Sequence, residues 1–194
     1  NKAMKTQVLP ITPESVALAA RLLQQGELVA LPTETVYGIA ADARNGEAVK
    51  KIFEAKGRPQ DNPLIVHICG MEMLNGIVSE VPERAKKLAA AFWPGPLTMI
   101  FKKKDIVPAK ATGGLDTVAI RMPDDPVANR LIALAGVPVA APSANTSGRP
   151  SPTTADHVWQ DMNGRIDMII DGGPVGIGVE STIVDVSSAV PAVL

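Results

Sequence analysis

The chain has 194 residues, 46% of them hydrophobic and 20% charged, with a formal net charge of −1. A length of this order accommodates one sizeable domain that buries roughly 70% of its unfolded surface, and the near-neutral charge, with only three Phe, two Trp and one Tyr, argues against a domain that coats nucleic acid by charge or base stacking. No run approaches the ~20 apolar residues of a transmembrane helix and no apolar signal core follows the N-terminus, so the expectation is a cytoplasmic protein without membrane contact.

Asn1-Lys2-Ala3 ahead of Met4 reads as a tag remnant. Thr12-Pro13 opens a helix whose apolar stripe, Val16, Ala19, Ala20, Leu22 and Leu23, runs to Gly26. Leu28 to Leu31 is a continuously apolar strand that ends at Pro32-Thr33-Glu34-Thr35-Val36-Tyr37-Gly38. A second helix spans Gly46 to Lys56 with Gly57 in the C-terminal position, which leaves Lys56 in its last turn and Arg58 just beyond. Leu64 to Ile68 reads as a strand, Glu83 to Phe92 as a helix, and Leu97 to Phe101 as a strand after the Trp93-Pro94-Gly95-Pro96 turn. In Thr117 to Met122 the period of two puts Val118, Ile120 and Met122 on one face and Thr117 and Arg121 on the other. Asp125-Pro126 opens a helix closed by Gly136, Val137 to Ala140 is a short strand, Thr154 caps a helix through Met162, and strands follow at Met168 to Asp171 and Ser181 to Val186. The alternation predicts an α/β domain with a mixed sheet and ligand loops at strand ends.

Two proline-bounded loops concentrate anion-binding chemistry. Pro142-Ser143-Ala144-Asn145-Thr146-Ser147-Gly148-Arg149-Pro150-Ser151-Pro152 supplies hydroxyls, an amide and a guanidinium, and Lys56-Gly57-Arg58-Pro59-Gln60-Asp61-Asn62-Pro63 adds two cations and a second amide. Guanidinium, hydroxyl and amide donors together suit phosphate oxygens, so one polyanionic ligand held between both loops is expected. Taken alone, Lys56 and Arg58 also fit an ordinary cationic helix end.

Other features read as structural. The single Cys69 cannot form an internal disulfide and is most simply a small core residue, and Lys102-Lys103-Lys104 reads as a solvated charge run. With only His67 and His157 beside one Cys, a zinc site or Cys–His pair finds little material. His157 reads as a surface or packing residue, whereas His67 fits either a buried, hydrogen-bonded histidine or a ligand contact. There is no phosphate-loop motif, and Gly172-Gly173-Pro174-Val175-Gly176-Ile177-Gly178 misses the dinucleotide fingerprint and reads as a turn between strands.

Pro32-Thr33-Glu34-Thr35-Val36-Tyr37-Gly38, Lys56-x-Arg58 with Asn62-Pro63-Leu64, Trp93-Pro94-Gly95-Pro96-Leu97-Thr98, Pro142-Ser143-Ala144-Asn145 and Glu180-Ser181-Thr182-Ile183-Val184-Asp185 together resemble the YrdC-like family over nearly the whole chain. The resemblance implies one α/β domain over residues 1–194, with a twisted mixed sheet, flanking helices and an open ligand cleft. It also implies adenylate chemistry, in which L-threonine, bicarbonate and ATP give threonylcarbamoyl-AMP and pyrophosphate, with Mg²⁺ carried on the ATP and no metal ligands from the protein. The product would pass to a transferase that makes N6-threonylcarbamoyladenosine in tRNA, with no direct tRNA binding required and a monomeric enzyme. On this resemblance Lys56 and Arg58 are catalytic. Thr33, Tyr37, His67, Arg121 and Ser181 form the threonine side, and Asn62, Thr117, Ser143, Asn145 and Ser151 join Lys56 and Arg58 on the nucleotide, with Thr182 nearby. Family members usually continue into Arg-Pro-Gly where this chain reaches Pro191-Ala192-Val193-Leu194, so a C-terminal linker and second domain are expected to be absent. A double-stranded RNA-binding module and a carbamoyl-transfer domain of the kind in hydrogenase-maturation proteins are the rival readings.

Overall fold

A computed structural model of the chain describes residues 4–59, 62–189 and 192–194. Its first half runs β1 (Gln7–Pro10), α1 (Pro13–Gln24), β2 (Val29–Pro32), β3 (Tyr37–Asp42), α2 (Gly46–Lys56), β4 (Ile65–His67), α3 (Met71–Ile77), α4 (Glu83–Phe92) and β5 (Leu97–Lys102). The second half runs α5 (Ala109–Thr112), β6 (Thr117–Arg121), α6 (Pro126–Ala135), β7 (Val139–Ala140), α7 (Ala155–Met162), β8 (Met168–Asp171), β9 (Thr182–Asp185) and β10 (Ala192–Val193).

Four helices, α1, α2, α6 and α7, begin where a side chain satisfies free backbone amides. Thr12 and Ser15 form a reciprocal capping box on α1. Asn45, Asp125 and Thr154 accept from the first-turn amides of α2, α6 and α7. Gly57 closes α2 at φ +67°, a left-handed conformation that glycine adopts without a Cβ penalty. Those signals sit in the sequence, which is why these four helices lie where their caps predict them.

The strands assemble into one mixed sheet in the order β1-β8-β2-β3-β7-β4-β6-β5-β9-β10. Parallel pairs (β1/β8, β2/β8, β4/β6, β5/β9) are combined with antiparallel ones, as expected of a mixed α/β sheet. Sequence patterning does not predict β3. Its Gly38, Ala40 and Ala41 have low strand propensity, and it is pairing with β2 and β7 that makes it a strand. β1, α3, α5 and β10 are likewise short elements without a clear pattern of their own.

Two apolar clusters flank the sheet. On one side α1 and α6 contribute Val16, Ala19, Leu23, Leu131 and Ile132 against Val29, Leu31, Val139, Met168 and Ile170. On the other, Val49, Ile52, Phe53, Val158 and Met162 pack on Ile39, Val66, Met99, Ile120 and Ile169. Cys69 is partly rather than fully buried. Among the described residues no helix is long and apolar enough to cross a membrane.

Candidate active site

Strand register creates a polar row inside the sheet. Thr98 pairs with Arg121 across β5/β6, and His67 pairs with Arg121 across β4/β6. Paired residues of neighbouring strands point to the same face, so Thr98, Arg121 and His67 lie side by side. All three are buried, at 2%, 6% and 4% exposure. Their sequence neighbours Met99, Ile120 and Val66 fill the apolar core on the opposite face. The alternation that set Arg121 apart from Ile120 therefore holds, and the tertiary fold then buries Arg121 as well.

The Pro32–Tyr37 loop covers this row. Arg121 Nη1 donates to Thr35 Oγ1 at 3.1 Å and its Nε to the Gly95 carbonyl at 3.4 Å, and Nη2 pairs with the Glu34 carboxylate. Glu34 also accepts the Asp124 amide. Burial lowers the Arg121 guanidinium to about 10, still charged at neutral pH. Burial also pushes the His67 imidazole down to about 4, opposed by the neighbouring Ile65 backbone. Its ring is therefore neutral in the fold, and Nδ1 has no hydrogen-bond partner among the described residues.

Thr33 and Tyr37 build the loop. Thr33 Oγ1 donates to the Val36 carbonyl at 2.7 Å and accepts the Thr35 amide at 3.2 Å, closing the turn. Tyr37 is fully buried, and its hydroxyl donates to the Gly173 carbonyl at 2.7 Å and accepts the Gly172 amide at 3.0 Å. The glycine stretch is thus more than a turn between strands, because it is bolted onto the loop. Gly176 donates to the Glu34 carbonyl at 3.1 Å. It has φ +84°, and a Cβ there would lie 2.2 Å from the Thr35 carbonyl oxygen.

The second half of the site forms around Lys56, which is 2% exposed. Its ammonium donates to the carbonyls of Ser143 at 2.5 Å and Asn145 at 2.7 Å. Burial is the main force lowering Lys56 to about 8, reinforced by Arg58 and opposed by Asp161. Within the loop, Ser143 Oγ donates to Asn145 Oδ1 at 2.5 Å, and Asn145 Nδ2 donates to the Thr146 and Arg149 carbonyls, both at 2.9 Å. The Arg58 guanidinium sits 5.5 Å from the Phe53 ring centroid. Tyr37 joins the two halves: its amide donates to the Pro152 carbonyl and its carbonyl accepts the Ala144 amide, both at 2.9 Å.

The remaining predicted residues spread over the rim. Asn62 is exposed just before β4, beyond Gln60 and Asp61, which lie outside the described residues together with residues 1–3, Val190 and Pro191. Thr117 and Arg121 occupy opposite ends of β6, about 13 Å apart at the usual rise per residue; because Ile65 pairs with Ala119, Thr117 lies ahead of the start of β4, toward Asn62. Ser151 and Ser181 face solvent. Ser181 precedes Thr182, itself exposed, whose amide donates to the Pro96 carbonyl at 3.0 Å. His157 is exposed, as its surface reading requires. Arg149, counted with the phosphate donors from sequence, pairs instead with Asp161 at 3.5 Å.

Sequence reasoning missed Thr35, Thr98, Glu34 and Asp161. Thr35 and Thr98 stood inside recognised motifs, and their distance from Arg121 in the chain hid their contact with it. Among the described residues no group of three or more His, Cys, Asp and Glu side chains is placed to hold a metal ion.

The Sua5/YciO/YrdC family, described as telomere recombination, matches residues 21–194. The chain belongs to this family. A threonylcarbamoyl-AMP synthase of Bacillus subtilis is 55% identical over 190 residues, covering 97% of this chain and 55% of that protein. One of Pyrococcus abyssi is also 55% identical, over 179 residues, covering 92% of this chain and 53% of that protein. The crystal structure of P. abyssi Sua5 complexed with L-threonine superposes with a TM-score of 0.92 at 52% identity, covering 97% of this chain and 56% of that one. The chain thus spans about half the length of these two curated relatives.

Proposed function

We propose that this chain is the catalytic portion of an L-threonylcarbamoyladenylate synthase. The observation that carries the reading is the buried Thr98–Arg121–His67 row under the Thr33–Tyr37 loop, in a chain 52% identical to a Sua5 crystallised with L-threonine. The buried guanidinium already holds a carboxylate, that of Glu34, and is suited to take an α-carboxylate in its place, and the neutral His67 ring, with Nδ1 open, is suited to an amine or hydroxyl.

In the proposed reaction the threonine amine takes up carbon dioxide, derived from bicarbonate, and loses a proton to give a carbamate. A carbamate oxygen forms a bond to the α-phosphorus of ATP, and pyrophosphate leaves with the electron pair of the broken bond. Such a displacement depends on positioning and charge neutralisation rather than on a protein nucleophile. Arg121 and His67 orient the amino acid. Arg58, Asn62, Ser143 and Asn145 face the nucleotide, with Thr117 and Ser151 at its margin and Ser181 at the margin of the threonine side. Lys56 acts chiefly by holding the Ser143–Asn145 backbone in place. Mg²⁺ enters as part of the substrate MgATP. The adenylate then serves a tRNA-modifying threonylcarbamoyl transferase, and the enzyme works as a cytoplasmic monomer.

The test is pyrophosphate release from ATP, with L-threonine and bicarbonate omitted in turn and the adenylate detected by mass. Release that requires both supports the synthase. Release driven by carbamoyl phosphate without threonine, or steeply salt-dependent RNA binding without any release, replaces it with one of the rivals.

A further inference from the structure

The nucleotide half of the site contains a carboxylate whose presence needs a reason. Asp161 on α7 is 9% exposed by side chain and lies within the electrostatic reach of Lys56. A negative charge there opposes phosphate binding, so its contribution has to lie elsewhere.

Its contacts show where. Oδ2 accepts both the Thr146 amide at 2.9 Å and the Thr146 hydroxyl at 3.2 Å, and Oδ1 pairs with Arg149 Nε at 3.5 Å. Thr146 follows Asn145 directly. The next amide, Ser147, donates to the Lys56 carbonyl at 2.9 Å, and Arg149 donates back to the Thr146 carbonyl at 3.1 Å. The donor-rich loop is therefore pinned at two points: by the Lys56 ammonium at Ser143 and Asn145, and by Asp161 at Thr146 and Arg149. The second pin is anchored in a helix whose Val158 and Met162 are fully buried, so it transmits the rigidity of the core.

We propose that Asp161 is a positioning residue for the nucleotide side, clamping Thr146 and Arg149 onto α7 so that the Ser143–Asn145 segment keeps a fixed geometry beside the ATP phosphates. The inference deepens the synthase reading and rests on it. It makes a directional statement: loss of the clamp weakens nucleotide use and leaves threonine use intact, because among the described residues Arg121, His67 and Thr35 make no hydrogen bond to Thr146 or Arg149.

The experiment compares Asp161→Ala, Asp161→Asn and Thr146→Val in the protein at its full natural length. Asp161→Ala is expected to raise the KM for ATP about tenfold, the scale of losing one or two charge-assisted hydrogen bonds, with the KM for threonine within about twofold. Asp161→Asn, whose amide oxygen still accepts from the Thr146 amide, recovers part of that loss. Thr146→Val, which removes only the hydroxyl, gives a smaller rise of about threefold and serves if Asp161→Ala does not fold. Hydrogen exchange at the Thr146 and Ser147 amides accelerates in Asp161→Ala while α1 and α6 keep their protection. Parallel rises in both KM values, or unchanged exchange at Thr146, overturn the proposal. If the unsubstituted protein releases no pyrophosphate, the synthase reading fails alone, since exchange at Thr146 and ATP binding by calorimetry still judge the clamp; if it binds no ATP, both fail.

Discussion

The Lys56 ammonium donates to the Asn145 carbonyl at 2.7 Å across 89 residues of chain, so a cation that reads from sequence as a phosphate contact also fastens the loop expected to make that contact. With the Ser143 carbonyl at 2.5 Å as its second acceptor, one of its three N–H donors remains for a ligand.

Replacing that fastener should therefore cost both stability and activity. Lys56→Met keeps the length of the side chain and removes its donors, leaving two sheltered carbonyls short of partners at about 1–3 kcal/mol each. The expected outcome is a Tm lower by several degrees and adenylate formation reduced by at least about 100-fold, an effect of ~3 kcal/mol on the barrier. Calorimetry and pyrophosphate release check the two parts.

Titration of Lys56 should separate activity from stability. Its folded value, about 8, lies below the ~10.4 of an unfolded lysine. Between these values the unfolded chain holds more protons, so this group makes stability rise with pH; the neutral amine keeps two N–H donors for the two carbonyls but loses its charge beside the nucleotide loop, so turnover falls as pH passes about 8. Tm and turnover measured from pH 7 to 10 should move in opposite directions, and Lys56→Arg should remove the downturn in any turnover that remains.

His67 should leave its mark at acid pH. Its folded value of about 4 lies below the ~6.5 of an unfolded histidine, so the unfolded chain takes up the proton first. This contribution to stability is present above pH ~6.5 and is lost as pH falls toward 4, with a slope of at most ~1.4 kcal/mol per pH unit. His67→Gln should flatten Tm against pH in that window. Turnover should show no histidine limb between pH 6 and 7.5.

Arg121→Ala should raise the KM for threonine by about 10- to 100-fold, the scale of a hydrogen bond to a charged group, and leave ATP affinity nearly unchanged. Equal loss of both substrates would break the division of the site into two halves.

Gly176→Ala tests the bolt between the glycine stretch and the loop. The new Cβ would meet the Thr35 carbonyl at 2.2 Å in a backbone of φ +84°, a strain of about 1–3 kcal/mol. Because Thr35 and Glu34 touch Arg121, the expected result is a higher threonine KM with ATP affinity nearly unchanged.

Much of this protein is legible in its sequence because the signals are local. Thr12, Asn45, Asp125 and Thr154 cap their helices, Gly57 and Gly136 end two of them, and the period of two in Thr117 to Met122 separates Arg121 from the core face. Each depends on neighbours within a few residues, where backbone geometry alone determines who meets whom. The family motifs are legible for the same reason, since they are contiguous. Only the tertiary structure decided what those segments touch: Ser143 with Lys56, Thr35 with Arg121, and Asp161 with Thr146 join residues 15 to 87 positions apart. β3 exists because strands on both its edges complete its hydrogen bonds. A buried cation takes whatever acceptors the packed fold brings to it, and no local pattern in a chain encodes which those will be.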